Sequence, residues 1–288
     1  MVRCGQIVIG PAGSGKSSYC NAIKEVCADS RRRAYIVNLD PAAEQLPYDC
    51  DLDIRDLISL DDAVDAMKLG PNGGLVFCIE YLRENMEWLE DELSQFDEDG
   101  YFVFDCPGTI KVHWFNHSGQ IELFTHFSFL GDITTRLTEF GFRLISVYLM
   151  DCPFISDESK YLSGSLMALS SMLQLGLPHL NLLTKCDLVT QDTLDKYRFP
   201  DGDSLLYRLK QKDPSNNDVY SKLKESPYTG LSEAISSLLD DFGMVSYIEC
   251  SIRDEELLNR VLLETDSLLQ YGEDLDIEDH IDENEQVD

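Results

Sequence analysis

The sequence predicts an α/β protein in three layers: a mostly parallel central sheet, helices on both faces, and a helical insertion late in the chain. Three observations predict it. The apolar run Gln6–Ile9 leads through a glycine-rich loop into a helical pattern. A second apolar run, Ala34–Leu39, follows that helix within about forty residues of the start, the spacing of a parallel βαβ unit. Two later apolar runs, Tyr101–Phe104 and Leu144–Met150, stop at carboxylates, Asp105 and Asp151. In open α/β sheets ligands bind at that carboxyl edge.

The first strand is expected at 3–10 and the first helix at 16–28, with Tyr19, Ile23, Val26 and Cys27 on one face. Between them, Gly10-Pro11-Ala12-Gly13-Ser14-Gly15-Lys16-Ser17 fits G-x-x-x-x-G-K-[ST], the phosphate-binding P-loop, in its strand–loop–helix context. Glycines reach positive φ and let backbone N–H groups converge on an anion, and the helix start adds a positive dipole end. Gly13, Ser14, Gly15, Lys16, Ser17 and Ser18 are therefore the phosphate-binding residues. Lys16 pairs the β- and γ-phosphate charge, and Ser17 is a Mg²⁺ ligand. The fold class is a P-loop NTPase.

The second strand stops at Asp40-Pro41. Asp40 is the candidate for orienting or deprotonating an attacking water; its blander role is to support a Mg²⁺ ion from a distance. Asp51–Met67 reads as a helix, Gly70-Pro71-Asn72-Gly73-Gly74 as a rigid turn, and Leu75 to Leu93 as one further helix. By residue type alone that turn carries no function. Asp105-Cys106-Pro107-Gly108 fits D-x-x-G. There the acid joins Ser17 on Mg²⁺, and the Gly108 N–H senses the γ-phosphate.

A helix over Ser156–Leu175 and a strand over Pro178–Leu183 lead to Thr184-Lys185-Cys186-Asp187, which fits [NT]-K-x-D. A carboxylate at Asp187 accepts two hydrogen bonds from guanine N1–H and its amino group, a pair adenine lacks. The Lys185 stem covers the base plane. T-K-x-D is common by chance; its place after a core strand gives it weight. Residues 188–228 read as a polar excursion with one or two helices, a lid or partner surface. Ser232–Phe242 reads as a helix, Val245–Glu249 as the last strand and Asp254–Tyr271 as the closing helix, with Cys250-Ser251 lining the base pocket. The chain divides into a nucleotide-binding domain, 1–272, and an acidic tail, 273–288, without Lys or Arg, expected to be disordered.

Across 288 residues the net charge is −30. Such a surface repels nucleic-acid phosphates and anionic lipid, so direct nucleic-acid binding is not expected, while basic protein partners are. No apolar run approaches the ~20 residues of a membrane span. The nine cysteines form no C-x-x-C pair, which suggests a reducing cytosol or nucleus, and the immediate first strand leaves no room for a signal peptide. His113 and His117 are four apart with no evident third metal ligand.

Several stretches together carry a family resemblance. They are Gly10–Ser18, Val37–Glu44, Gly70–Cys78, Asp105–Gly108, Gln120–His126, Thr184–Asp187 and Gln270–Leu275. On these the chain resembles the GPN-loop GTPases, nearest their third eukaryotic branch. The resemblance implies GTP and GDP as ligands with Mg²⁺, and a homodimer or a heterodimer with a paralogue. It implies that Asn72 reaches the partner's active site and that Gln120 serves catalysis. It also implies links to RNA polymerase II subunits, and a cytoplasmic protein shuttling to the nucleus. An Asn amide is uncharged, so it positions water without neutralising charge, and slow hydrolysis is expected. The family reads D-C-P-G-Q-I-E-L unbroken, whereas here Thr109–Gly119 separates Gly108 from Gln120. If this insert loops out, Gln120 and Glu122 still reach the site; if not, hydrolysis fails while binding survives. The rival readings are an assembly chaperone or adaptor holding GTP as a structural ligand, and a P-loop kinase or ATPase, which T-K-x-D disfavours.

Overall fold

The computed structural model describes residues 2–114, 117–122, 129–153, 158–192, 194, 234, 237 and 246–272. Most of the 188–228 excursion, most of the 232–242 helix and the acidic tail lie outside the described residues.

The first half runs β1 (Arg3–Ile9), α1 (Lys16–Asp29), β2 (Ala34–Asn38), β3 (Leu52–Asp53), α2 (Leu60–Met67), α3 (Pro71–Glu84), α4 (Met86–Leu93) and β4 (Tyr101–Asp105). Then come β5 (Thr109–Trp114), β6 (His117–Glu122), α5 (Phe129–Glu139), β7 (Phe142–Asp151), α6 (Glu158–Leu175), β8 (His179–Thr184), β9 (Tyr247–Glu249) and α7 (Glu255–Leu269). Seven strands form one sheet in the order β3-β2-β4-β1-β7-β8-β9, and every pair is parallel. The sheet is thus wholly rather than mostly parallel among the described residues, and all its carboxyl ends point to one edge.

Alternation along each strand feeds two cores. Ile7, Ile9, Val37, Phe102 and Phe104 face the side covered by α3, α4, α5 and α6. Val8, Ile36, Val103, Val147 and Leu149 face α1 and α7, which present Tyr19, Ile23, Val26, Leu258, Val261 and Leu262. This makes the three layers.

Three expectations change. Asp51–Met67 is not one helix: Leu52–Asp53 adds an edge strand to β2, a 3₁₀ turn follows at Ile54–Asp56, and only Leu60–Met67 is α-helical. Local capping decides this. The Asp53 carboxylate accepts from the Arg55 N–H at 2.9 Å, and Ser59 Oγ accepts from the Asp62 N–H at 3.2 Å. The rigid turn at 70–74 is a helix start, with Gly70 as the extended cap and Pro71 in the first turn, where a missing N–H costs nothing. The helix expected to continue to Leu93 breaks at Asn85. Its side-chain amide donates to the Tyr81 carbonyl at 2.7 Å and its backbone N–H to the carbonyls of Tyr81 and Leu82.

Candidate active site

The phosphate loop joins β1 to α1. Gly10 closes against β7: a Cβ there would lie 2.3 Å from the Leu149 carbonyl oxygen, so no other residue fits. Gly13 and Gly15 have φ of 82° and 94°, and Gly15 is the left-handed cap of α1. Lys16, Ser17 and Ser18 form that helix's first turn, which aims its free amides at the loop's interior. Ser14 is buried, and its Oγ has no hydrogen-bond partner. Lys16 is buried too, and its Nζ donates back to the carbonyls of Gly10 (3.0 Å) and Pro11 (3.2 Å). Burial pulls its pKa below the usual lysine range, against the pull of Asp105 and Asp40.

Two carboxylates answer that ammonium from the ends of β4 and β2. Burial raises the pKa of Asp105, although hydrogen bonds from Ser17 and Tyr48 and the charge of Lys16 oppose it. The Tyr48 hydroxyl donates to Asp105 Oδ2 at 2.8 Å. Asp40 is half-buried and also raised by burial, opposed by the Ala42 N–H, Lys16 and Arg55; that N–H lies 2.9 Å from Oδ1. Asn38 donates to Asp53 at 3.0 Å and to the Asp40 carbonyl at 3.2 Å, which fixes the turn. An ammonium, a hydroxyl and two carboxylates held against burial suit a triphosphate and a hard cation. The orphaned Ser14 hydroxyl and the hydroxyl–carboxylate pair Ser17–Asp105 fit such groups. Gly108 lies against the loop: a Cβ there would come 2.8 Å from Lys16 Nζ and 3.3 Å from the Ala12 backbone.

The loop after β8, expected from its sequence to read the base, docks on the glycine loop between β1 and α1. Thr184 Oγ1 donates to the Ser14 carbonyl at 2.7 Å. Lys185, with φ of 57°, donates from Nζ to the Gly13 carbonyl at 2.7 Å and to Asp151 at 3.1 Å. Asp187 accepts from Ser251 Oγ at 3.4 Å and pairs with Arg253 at 3.2 Å. The structure therefore gathers Gly13, Ser14, Gly15, Lys16, Ser17, Ser18, Asp40, Asp105, Gly108, Thr184, Lys185 and Asp187 along one sheet edge.

Asn72 and Gln120 are carried by other elements, α3 and β6. Asn72 occupies the first turn of α3, which packs chiefly on α2, α4, α5 and β5. Gln120 lies on β6 opposite Lys111 of β5, in a separate two-stranded antiparallel sheet. The insert does not simply loop out: residues 109–114 pair with 117–122 and take the Gln120 segment into the ladder.

Sequence reasoning missed Tyr48, Asp151 as a lysine partner, and Arg253. Asp151 carried a usable signal as one more carboxylate at a strand's carboxyl end. Tyr48 and Arg253 arrive through tertiary packing that no spacing reveals.

A helix-opening glycine loop, a buried lysine and strand-end carboxylates on a parallel sheet define a P-loop nucleotide-binding protein. A family model described as "conserved hypothetical ATP binding protein" matches residues 8–271. GPN-loop GTPase 3 of Eremothecium gossypii is 42% identical over 95% of this chain and 94% of its own length. Its counterpart in Dictyostelium discoideum is 41% identical over 94% and 88%, and that of Danio rerio 39% over 97% and 92%. Among solved structures, a GTPase from Pyrococcus abyssi in its apo form shares the fold with a TM-score of 0.71 at 22% identity, covering 92% of this chain and 97% of that one. The chain belongs to the GPN-loop GTPase family.

Proposed function

We propose that this protein binds GTP with Mg²⁺ and hydrolyses it to GDP. The observation that carries this is the docking of the base-reading loop onto the phosphate loop through Thr184 and Lys185, which couples purine choice to phosphate binding. Lys16 exchanges its two loop carbonyls for phosphate oxygens, and the Ser14 hydroxyl and the α1 amides supply further donors. Ser17 and Asp105 would hold Mg²⁺, which supplies charge neutralisation on the phosphates when bound. Asp40, raised by burial, is poised to accept a proton from water. Lys185 lies along the base, and Asp187 accepts from its N1–H and amino group. The test is Asp187→Asn, expected to move preference from GTP toward xanthosine triphosphate; an unchanged preference contradicts the base assignment.

A second reading has its own support. With Gln120 drawn into the β5–β6 ladder, GTP acts as a structural ligand with little turnover. Single-turnover phosphate release separates the two: the first reading expects release within one binding cycle, the second expects intact GTP.

The resemblance also supports a homodimer or paralogue heterodimer in which Asn72 serves the partner's site. Asn72→Ala is then expected to slow turnover and spare binding. Roles in RNA polymerase II assembly and nuclear import, and a cytoplasmic protein that shuttles to the nucleus, are proposed on the resemblance alone. Co-purification with polymerase subunits and fractionation test them.

A further inference from the structure

Two thiols face each other beneath the base-reading loop. Cys152 follows β7, and Cys186 sits between Lys185 and Asp187. Their sulfurs are 3.3 Å apart. Cys152 is fully buried, and Cys186 is 7% exposed at the sheet's carboxyl edge. The Cys152 N–H donates to the Thr184 carbonyl at 2.9 Å, which fixes the two chains beside one another. The Cys186 thiol donates to the Leu183 carbonyl at 2.9 Å, so the Cys152 thiol is the donor between the sulfurs. That bond, with help from the Cys250 N–H, draws the Cys186 thiol below the usual cysteine range; the same bond and burial push Cys152 up. Cys186, the one of the two thiols open to solvent, is the one an oxidant meets first, with Cys152 placed 3.3 Å away to resolve it.

We propose that Cys152 and Cys186 form an oxidisable dithiol, closed to a disulfide by a peroxide, and that closing it pulls the base-reading loop out of its guanine-binding geometry. The proposal rests on reading Lys185 and Asp187 as guanine contacts. The chemistry balances. The Cys186 thiolate attacks one oxygen of hydrogen peroxide, the O–O bond breaks, and the departing oxygen leaves as water after taking a proton. Cys152 sulfur then attacks the resulting sulfenic acid, the S–O bond breaks, and the oxygen leaves as a second water with the Cys152 proton. Two electrons pass from the sulfurs to the peroxide.

A disulfide needs about 2.05 Å between sulfurs, so they must close by more than an ångström. Cys152 is anchored in the core. Cys186 follows Lys185, a residue held at positive φ, and it is the side that gives way. Lys185 and Asp187 flank it and move with it. Losing one of the Asp187 carboxylate's hydrogen bonds to the base, a bond to a charged group, costs about tenfold or more, so a loss of about that size in GTP affinity is expected.

The experiment treats the full-length reduced protein with hydrogen peroxide, maps its disulfides by non-reducing peptide mass spectrometry, and measures GTP and ATP affinity before, after, and following dithiothreitol. The expected result is a Cys152–Cys186 linked peptide, weaker GTP binding, and recovery on reduction. Cys152→Ser and Cys152→Ala, either of which suffices, are expected to bind GTP normally before oxidation and, after peroxide, to give no linked peptide and to carry Cys186 as sulfenic or sulfinic acid instead. A Cys186–Cys250 link, no link, or a Cys152–Cys186 link that leaves GTP affinity unchanged overturns the proposal. Failure of the guanine reading looks different: the reduced protein binds GTP no better than ATP, while the mass readout is unaffected.

Discussion

Two sets of polar side chains, buried or half-buried, lie along and beyond β1 and differ in how they are satisfied. Near the middle of β1, Gln6 accepts from the Tyr19 hydroxyl at 2.7 Å and donates to Tyr101 at 2.7 Å and Thr265 at 3.3 Å. Thr265 in turn donates to the Leu262 carbonyl at 2.8 Å. All four are neutral, and partners are close at hand. At the end of the same strand, Lys16, Asp105 and Asp40 are charged groups shifted toward their neutral forms by burial, beside a Ser14 hydroxyl without a partner. A saturated network fastens helices to a sheet. A buried group kept from its preferred state marks a place built for something else to enter. The contrast separates structure from function within one strand.

The largest effect expected of this contrast is from Lys16→Ala. It removes at least two charge-assisted bonds to phosphate at about 1.5–3 kcal/mol each, so GTP affinity falls about a hundredfold or more in calorimetry. The unfolding free energy of the nucleotide-free protein is expected to change less than in Gln6→Ala. Gln6→Ala leaves the Tyr19 and Tyr101 hydroxyls short of partners and is expected to cost about 3 kcal/mol in urea unfolding. The folded fraction should bind GTP as before. If Gln6→Ala abolishes binding without loss of stability, the contrast fails.

A smaller effect comes from a second saturated group. His179 is held between Ser146 Oγ at 2.5 Å and Asn181 at 3.0 Å, and burial lowers its pKa to about 4. With the folded value below the unfolded one, the unfolded chain binds the proton more readily. The stabilising contribution is therefore present above about pH 6.5 and lost as pH falls toward 4. Going from pH 7 to 5 is expected to remove about 1–2 kcal/mol from this source, and His179→Gln should flatten that part of the curve in parallel urea titrations. The smallest effect is at Arg253. Its side chain is 77% exposed where it pairs with Asp187, and exposed pairs are worth little. Arg253→Ala should shift GTP affinity by less than about threefold; a larger change makes Arg253 part of the nucleotide site.

The sequence shows the glycine loop, the strand-end carboxylates and T-K-x-D because their chemistry demands fixed residue types at short spacing. Strands β1, β2, β4, β7 and β8 are legible as apolar runs bounded by turns. Strand β3 is two residues long and has no period to read. The break at Asn85 depends on one side-chain cap, and the β5–β6 ladder on pairing within an insert that the family pattern lacks. Tyr48 reaches Asp105 across 57 positions, and Arg253 reaches Asp187 across 66, from 187 to 253. Neither proximity leaves a mark in local sequence.

The direct measurement is a calorimetric titration of the reduced full-length protein with GTP and, separately, ATP, both with Mg²⁺. The description of the matching family model names ATP, whereas the proposed role of Asp187 is to accept from guanine N1–H and its amino group, a donor pair adenine lacks. The account predicts GTP binding tighter than ATP by about a hundredfold or more. Equal affinities, or a preference for ATP, would contradict it.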